Sequence, residues 1–307
     1  MTISDREQAA AKHRTPVDMK PPDSQKGMAL VLVLWLVVLL SVLATGHARN
    51  VHIETKLASG HIDTARARAL AEAGAQRAIL DLLMPGTARQ WPVDGTVGSF
   101  EFDGHDIFIA IRDATGLIDL NSAGSGPLSA LISAAGVDQV TQQRIVDAIL
   151  DWRDADDLTH LHGAEDDDYR AAGLSWTARD DAFASIDELL YVMGMTRDIF
   201  DQISPYLTIY SEQSGVNLEY APPFLVSALT GQEIEVSEDH AADRSQVTGQ
   251  SASGTFHIYA SATTGNSTIF SLETVVQLLS DPERPFAVLY WREPMRTPFP
   301  TAERDGT

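Results

Sequence analysis

Residues 28–45 read MALVLVLWLVVLLSVLAT, eighteen residues without one charged side chain. As an α-helix this run rises about 27 Å, which is close to the ~30 Å hydrocarbon core of a bilayer. Lys12, Arg14, Lys20 and Lys26 precede it, and basic residues on that side keep an amino terminus in the cytoplasm. The stretch therefore predicts a transmembrane helix, with the rest of the chain outside the cytoplasm.

Three classes of amino-terminal segment contain an apolar run of this kind, and they differ in whether and where the chain is cut. A cleaved secretory signal has a shorter apolar region and a small-residue cleavage site, which residues 44–46 (ATG) match poorly. A plain signal anchor keeps the whole segment. A prepilin leader is cut before the apolar run, and Lys26-Gly27-Met28 has the required basic residue, glycine and apolar start. This stretch alone leaves the signal anchor and the prepilin leader open.

The helical pattern continues beyond the apolar run. Residues 47–83 are rich in Ala, Leu, Arg and Glu, and the next proline is Pro85. An approximately helical apolar stripe is formed by Leu57, Ile62, Ala65, Ala69, Ala73 and Ile79. One helix over residues 28–83 would rise roughly 80 Å, half of it in lipid and half in water. This is the shape of a pilin stalk.

Composition narrows the classes of function. The formal net charge is -21, from 43 acidic and 22 basic residues, and such a surface repels phosphate backbones and anionic lipid head groups. Nucleic-acid binding is therefore disfavoured. The chain has no cysteine, which excludes disulfides, thiol catalysis and thiolate metal sites. If the folded part lies outside the cytoplasm, something other than disulfides must hold its looser segments together.

Strand patterns stand on both sides of a helical block. The predicted strands lie at 98–111, as a hairpin around Gly104, and at 206–210, 254–262, 267–279 and 286–291. The clearest predicted helices lie at 129–135, 141–152, 185–193 and 197–203. Ser185 followed by Glu188 predicts a capping box at the start of the third of these helices. This order implies one sheet interrupted by a helical insertion.

Two helical pairs, at 128–150 and 186–207, look like helix-hairpin-helix units. The basic residues with which such units bind DNA are missing here, so a protein-interaction module is the better interpretation. The sequence also has no Gly-x-Ser-x-Gly elbow, phosphate loop or His-Glu-x-x-His helix. The prediction is therefore a protein that is not an enzyme and does not bind nucleic acid.

An acidic segment at residues 151–169 (DWRDADDLTHLHGAEDDDY) is the best candidate for a chemical site. It contains eight carboxylates, and Arg153 is the only Lys or Arg among them. Crowded carboxylates need protonation, solvent or a cation. Asp154 and Asp156 on one side of a bend at Gly163, with Glu165 returning on the other, can supply the oxygens that calcium prefers. The EF-hand spacing is absent, and composition alone favours a solvated acidic loop.

On these residues the chain resembles the minor pseudopilin K family of type II secretion systems. The stretch 66–80 (RARALAEAGAQRAIL) is similar to the matching stretch of pilin-like proteins. The family's acidic motif is matched in order by Asp151, Trp152, Asp154, Asp156, Gly163, Ala164, Glu165 and Tyr169.

The resemblance has implications for processing and for position in the assembly. It implies that prepilin peptidase cuts between Gly27 and Met28 and that the new amino terminus is methylated. Leu32 is then the fifth mature residue, where most pseudopilins have a glutamate that pairs with the neighbouring subunit's amino terminus. A missing carboxylate is expected of a subunit at the tip, since an unpaired charge in hydrocarbon is costly.

The resemblance also implies a calcium site in the acidic segment. The implied ligands are Asp154, Asp156 and Glu165, with Asp151, Asp166 and Asp168 as further candidates. His160 and His162 are set aside, because loop histidines beside many carboxylates are more often bystanders than ligands.

The expected fold is α+β, with a long N-terminal transmembrane helix, a pilin-like α/β core and a large inserted all-helical domain. The expected divisions are a prepilin leader at 1–27, the transmembrane and stalk helix at 28–83, the first part of the core at 84–112, a helix-hairpin-helix or SAM-like insertion at 113–206 and the second part of the core at 207–307.

The expected function is that of a minor pseudopilin at the tip of the pseudopilus, which helps to initiate and cap its assembly for protein export. The expected partners are the I- and J-type minor pseudopilins, prepilin peptidase and the inner membrane, together with the secretin or the exported proteins. The alternatives are a minor pilin of a type IV pilus and a signal-anchored periplasmic calcium-binding interaction protein.

Overall fold

The computed structural model describes residues 25–85, 88–232, 254–264 and 268–293, and side chains at 25–28 and 44–57 are outside the described set. Most of the expected leader, residues 1–24, also lies outside the described residues. Contacts divide the chain into two units, Met1–Gly60 and His61–Thr307. One helix, α1 (Gln25–Leu82), has residues in both units.

The first unit contains the amino-terminal part of α1. Its side chains at residues 29–43, which belong to the apolar run, are all exposed. Among the described residues, none of the helices combines the length and the apolar character that a membrane crossing requires. The long helix predicted over residues 28–83 is confirmed by α1, and its role as a membrane anchor stays a prediction.

The second unit contains an antiparallel sheet with the strand order β1-β2-β5-β6-β7 among its described residues. These strands are β1 (Asp94–Phe102), β2 (His105–Asp113), β5 (Thr255–Thr263), β6 (Ile269–Asp281) and β7 (Arg284–Arg292). The hairpin predicted around Gly104 joins β1 to β2, and its turn residues Asp103 and Gly104 have φ values of 52° and 73°. Because β2 pairs with β5, strands from both sides of the helical block form one sheet.

The last turns of α1 pack against one face of this sheet. A Cβ atom on Gly74 would lie 2.7 Å from Ile107 Cγ2, so this glycine lets the helix approach β2 closely. The buried α1 side chains in this core are Leu70, Ala71, Ala75, Ala78, Ile79 and Leu82. Among the stripe residues whose side chains the structure describes, Ile79 joins them, whereas Ile62, Ala65 and Ala69 are exposed. The position of the sheet, rather than helical spacing alone, selects the buried face.

The helical block lies between β2 and β5. Its helices are α2 (Ser125–Ala134), α3 (Gln139–Arg153), α4 (Asp166–Ala171), α5 (Arg197–Ile203) and α6 (Pro223–Thr230), with 3-10 turns at Ala114–Gly116, Ile186–Tyr191 and Ser204–Tyr206. Two short strands, β3 (Ile118–Asp119) and β4 (Leu207–Thr208), pair in parallel and bring its two ends together.

The helical block has its own apolar core. Leu207, Ala221, Leu225 and Val226 belong to this core, so its packing continues beyond the boundary expected at residue 206. The helix predicted at 185–193 is a 3-10 helix, and Ser185 makes no capping hydrogen bond. Glu188 Oε1 instead accepts hydrogen bonds from Arg179, at 2.8 Å, and from the Ala184 N–H. The capping-box prediction is therefore wrong, because Glu188 bonds to residues that precede the cap.

Candidate metal centre

Asp151 organises the segment that follows α3. It lies near the end of α3 and is fully buried. Its carboxylate accepts hydrogen bonds from the backbone N–H groups of His160, at 3.1 Å, and Ala164, at 2.7 Å. A Cβ atom on Gly163 would lie 1.8 Å from Asp151 Oδ2. This close approach leaves no room for a side chain at residue 163, and the Gly163 N–H closes a turn onto the His160 carbonyl at 3.0 Å.

Two other aspartates hold the same loop by its backbone. Asp147, one turn earlier on α3, accepts a hydrogen bond from the His162 N–H at 3.1 Å. Asp156 accepts one from the Leu158 N–H at 2.9 Å. Residues 154–165, which we call the α3–α4 loop, are therefore tied to α3 and to themselves along much of their length.

An aromatic cluster lies beneath the loop. Trp152 stands 5.8 Å from the ring of Tyr169 and 6.2 Å from that of Phe183, measured between ring centroids. The Tyr169 hydroxyl accepts a hydrogen bond from the Met193 N–H at 3.0 Å, and burial raises the pKa of Tyr169 to about 12. Because these aromatic side chains are uncharged, they leave the neighbouring carboxylates poorly solvated on that side.

Several carboxylate oxygens in this region are buried without a donor. Within the described part of the chain, no hydrogen-bond partner contacts Asp154 Oδ1, Asp166 Oδ1 or either side-chain oxygen of Glu165. Glu165 is only 5% exposed. Buried charges that lack a partner are expensive, so the carboxylates of Asp154 and Glu165 call for a proton or a cation.

The pKa shifts agree with this arrangement. Burial, and then the charges of Asp151 and Asp154, raise the pKa of Glu165 to about 7. Burial, followed by the charges of Asp156 and Asp151, also raises the pKa of Asp154 above its usual value. The carboxylates of Asp151, Asp154 and Glu165 therefore influence one another across the α3–α4 loop.

Among the described residues, the nearby arginines make no ion pair with Asp154 or Glu165. Arg153 directs its guanidinium at the carbonyl oxygens of Leu120 and Ala123. Arg170 pairs with Asp167 and with Asp166 Oδ2 on the exposed side. The Asp166 Oδ1 atom is left without a partner among the described residues.

The structure divides the six predicted ligands into groups. Asp151 and Asp154 lie together, Glu165 is coupled to both of them, and Asp166 contributes one buried free oxygen. Asp156 and Asp168 are exposed and each accepts a backbone hydrogen bond. For Asp168 this bond comes from the Glu165 N–H at the start of α4, at 3.1 Å.

Two residues of the site were not selected from the sequence. His160 groups with Asp151 and Asp154, because single ligand atoms of the three lie within 4.8 Å of one another. Its Nδ1 contacts Asp151 Oδ1, and this hydrogen bond raises the pKa of His160. Asp180 has a pKa raised by burial and by the charges of Asp166 and Asp157. Asp180 is exposed and lies outside the acidic segment, so it acts on the site through its charge and is not a candidate ligand.

The donor set fits a hard divalent cation. Its free atoms are carboxylate oxygens of the α3–α4 loop and of the first residue of α4, which is the chemistry that calcium prefers. A single exposed histidine beside them is a poor match to a structural zinc site, which is closed by four nitrogen or sulfur ligands. Calcium binding at these residues stays a prediction.

A second polar cluster joins the helical block to the sheet. Arg292 of β7 bonds to Asp187 of the helical block at 2.7 Å and reaches Glu273 of β6 at 3.4 Å. His257 of β5 contacts the Thr208 hydroxyl at 3.0 Å. These contacts brace the two cores against each other, and the acidic residues in them are already paired with arginine.

Comparisons with known families match two parts of the chain. A family described as "Type II secretion system (T2SS), protein K" matches residues 112–212, which cover most of the helical block. A family described as "PilX N-terminal" matches residues 26–76, within α1.

Individual relatives carry the same description. The protein K homologue of Escherichia coli (strain K12) is 28% identical over 207 residues, which cover 61% of this chain and 63% of the relative. The match thus spans less than two thirds of that relative's length. "Type II secretion system protein K" of Pectobacterium carotovorum subsp. carotovorum is 25% identical over 71% of this chain and 74% of its own length.

A solved structure has the same fold. A chain from "The Crystal Structure of the GspK-GspI-GspJ complex from enterotoxigenic Escherichia coli Type 2 Secretion System" superposes with a TM-score of 0.53. The match covers 79% of this chain and 100% of the solved one at 17% identity, a level that bears on the fold alone.

Proposed function

Because the chain belongs to the type II secretion system protein K family, we propose that it acts as a minor pseudopilin. The observation that carries this proposal is the helical block inserted between β2 and β5, the region that the protein K family matches. The PilX-type match at residues 26–76 supports a pilin-type amino terminus. A type IV minor pilin would share that terminus, and the helical block favours the pseudopilin.

The amino-terminal segment is proposed to be processed and to remain as an anchor. Prepilin peptidase would cut between Gly27 and Met28, and residues 28–45 would hold the subunit in the inner membrane with a single crossing. The basic residues before the run support a cytoplasmic amino terminus. The exposed apolar side chains at 29–43 support a lipid or partner environment for this part of α1.

The intact mass of the chain isolated from secreting cells tests this processing. The expected mass is that of a chain beginning at a methylated Met28. A Gly27→Leu variant should keep the leader, because the peptidase needs a small residue before the cut, and should lose secretion. A natural product that begins beyond residue 45 would overturn the proposal.

The role at the tip is proposed from Leu32 and from the face of α1. Leu32 removes the carboxylate through which most pseudopilins pair with a neighbour, as expected of a terminal subunit. Ile62, Ala65 and Ala69 are exposed on α1 and are available to the stalk helices of other subunits. The partners proposed are the I- and J-type pseudopilins, which accompany GspK in the solved complex named above. The secretin and the exported proteins are further candidates.

The role proposed is structural, and the chain is not proposed to be an enzyme. The buried carboxylates of the metal centre repel one another, and the neighbouring aromatic cluster of Trp152, Tyr169 and Phe183 offers no positive charge to offset them. Bound calcium would supply positive charge to these oxygens. Asp154, Glu165 and Asp166 are the first candidates to hold it, since each has a buried oxygen free of hydrogen bonds among the described residues.

The remaining predicted ligands would have supporting roles. Asp151 ties the α3–α4 loop together through its backbone bonds, while Asp156 and Asp168 shape the two ends of the loop. Calcium titration followed by thermal unfolding tests the site. Calcium at about 100 times its Kd should stabilise the fold by about 2.7 kcal/mol, and an unchanged Tm at millimolar calcium would contradict it.

A further inference from the structure

Two leucines project from the α3–α4 loop into solvent. Leu158 is 77% exposed and Leu161 is 87% exposed, the highest values among the large apolar side chains that the structure describes. They stand three positions apart in the same short loop. Such an exposed apolar pair is typical of an interaction surface.

Hydrogen bonds hold the leucines in this exposed position. The Leu158 N–H is bonded to Asp156 at 2.9 Å, and the neighbouring N–H groups of His160 and His162 are bonded to α3. The Gly163 N–H closes the turn onto the His160 carbonyl at 3.0 Å. A loop fastened on both sides of each leucine cannot easily turn these side chains inward.

The core of the helical block has no room to bury Leu158 and Leu161. Trp152, Ala164 and Tyr169 fill the space next to the loop, and neither leucine belongs to the buried core or to the residues packed against it. Their exposure is therefore a property of the folded block, and they are free to enter a pocket on another molecule.

The charge around the leucines limits what that molecule can be. Asp156 and Asp157 directly precede Leu158, both are exposed, and the chain as a whole has a net charge of -21. An anionic lipid surface, a nucleic acid and a second copy of this chain would all be repelled. A protein pocket with apolar walls and a basic rim would be attracted.

We propose that Leu158 and Leu161 form a docking knob that enters an apolar, basic-rimmed pocket on a different protein. The pinned loop presents the knob with little further loss of conformational freedom on binding. This assignment rests on the proposed function, because it places the knob on a subunit that works among other proteins outside the cytoplasm.

A single cysteine can report on the knob, because the chain has none of its own. Thr159 lies between the two leucines and is exposed, so a full-length Thr159→Cys chain is labelled with a small maleimide in secreting cells and after purification. We expect labelling in cells to be slower by roughly tenfold when the free partner stands at about ten times the Kd, because roughly one chain in ten is then undocked.

Leu158, Leu161 and the charged residue Asp157 are then substituted in the Thr159→Cys chain. Leu158→Ser with Leu161→Ser should restore fast labelling, and Asp157→Lys should do so more than Asp157→Asn. The matched control is Val140→Ser on α3, a residue that is 59% exposed outside the loop, and it should keep the protection. Purified variants should unfold at the same temperature as the parent, because both leucines are already in solvent.

Several outcomes would overturn the docking knob. Equal labelling in cells and in purified protein would exclude an occupant, and protection that survives the double serine change would exclude the leucines. Protection of the purified chain that grows with its own concentration would indicate a second copy, and protection by phosphatidylglycerol vesicles would indicate lipid. If the chain joins the I- and J-type subunits while Thr159→Cys stays unprotected, only the docking fails; if it does not join them, the proposed function fails.

Discussion

Asp119 and Glu165 are both buried carboxylates of the helical block, and they differ in how their charge is met. Asp119 is 1% exposed and accepts hydrogen bonds from five donors. These donors are the N–H groups of Asn121, Ser122, Ser211 and Glu212 and the Ser211 hydroxyl, at 2.9–3.2 Å. Glu165 is 5% exposed, and its side chain faces the Asp168 N–H in a capping-box arrangement at the start of α4. Neither of its oxygens makes a hydrogen bond among the described residues.

The difference separates two uses of a buried acid. Asp119 is completed by the protein itself, and it ties together segments 92 positions apart. In a chain without cysteine, such a tie takes the place of a cross-link. Glu165 is left incomplete, so the fold around it depends on a proton or a cation from solution. Asp119 therefore stabilises the block whatever the solution contains, whereas the contribution of Glu165 depends on the pH and on a bound cation.

The largest expected effect comes from removing the Asp119 carboxylate and its hydrogen bonds. Asp119→Ala leaves several buried N–H groups without an acceptor, and each such loss destabilises a protein by about 1–3 kcal/mol. We expect the free energy of unfolding to fall by about 3 kcal/mol or more, equally with calcium and with a chelator. Chemical denaturation measures it, with Asp181→Ala as an exposed control. A loss that calcium reverses would contradict the comparison.

The next effect tests the contribution of Glu165. Glu165→Gln keeps the shape and removes the charge that calcium would meet, so most of the calcium stabilisation of about 2.7 kcal/mol at 100 times Kd should disappear. In chelator the variant should be as stable as the parent or more so, because the buried charge is gone. Calorimetric unfolding with and without calcium measures both, and an undiminished calcium shift would remove Glu165 from the site.

A smaller effect is expected at Gly163, which lies between Asp151 and Glu165 in the chain. Gly163→Ala places a methyl group 1.8 Å from Asp151 Oδ2, so the α3–α4 loop must move. Overpacking of this kind destabilises a protein by about 1–3 kcal/mol. Calcium affinity should fall with it, as measured by isothermal titration. Gly173→Ala would be a poor control because Gly173 has a φ of 76°. At the exposed loop residue Gly215 an added Cβ atom meets nothing within 4 Å, so Gly215→Ala should change neither quantity.

The smallest effect concerns pH in chelator. The pKa of Glu165 is about 7 in the folded chain and about 4.5 ordinarily, so between these values the folded state binds more protons than the unfolded state. Stability from this group is present below about pH 4.5 and is lost as pH rises through about 7. The difference in Tm between Glu165→Gln and the parent should therefore grow from pH 5 to pH 8. A constant difference would contradict the shift.

The sequence predicts the parts of this molecule that depend on local chemistry. The Asp103-Gly104 turn, the length of α1 and the carboxylates at 151, 154 and 165 are all recognisable from neighbouring residues. Asp180 and the Asp119–Ser211 tie are not, because their partners lie far along the chain and are brought together only by the fold. The face of α1 that packs on the sheet cannot be identified from helical spacing alone either, since it is set by contact with β2 and β5.

The apolar segment shows how a local pattern and its role are separate predictions. Its composition and flanks predict an anchor, and the structure describes a helix there. Whether the helix lies in lipid or against other subunits depends on molecules that the sequence does not contain. Processing after Gly27 and association with other subunits are therefore tested on the natural product.

The most direct test is to isolate this chain from the membranes of secreting cells in mild detergent and to identify the proteins that stay with it. The account predicts a complex with the I- and J-type pseudopilins that persists when Asp157 or Val140 is changed. Recovery with only the major pilin of a type IV system, or as a single free protein, would contradict it.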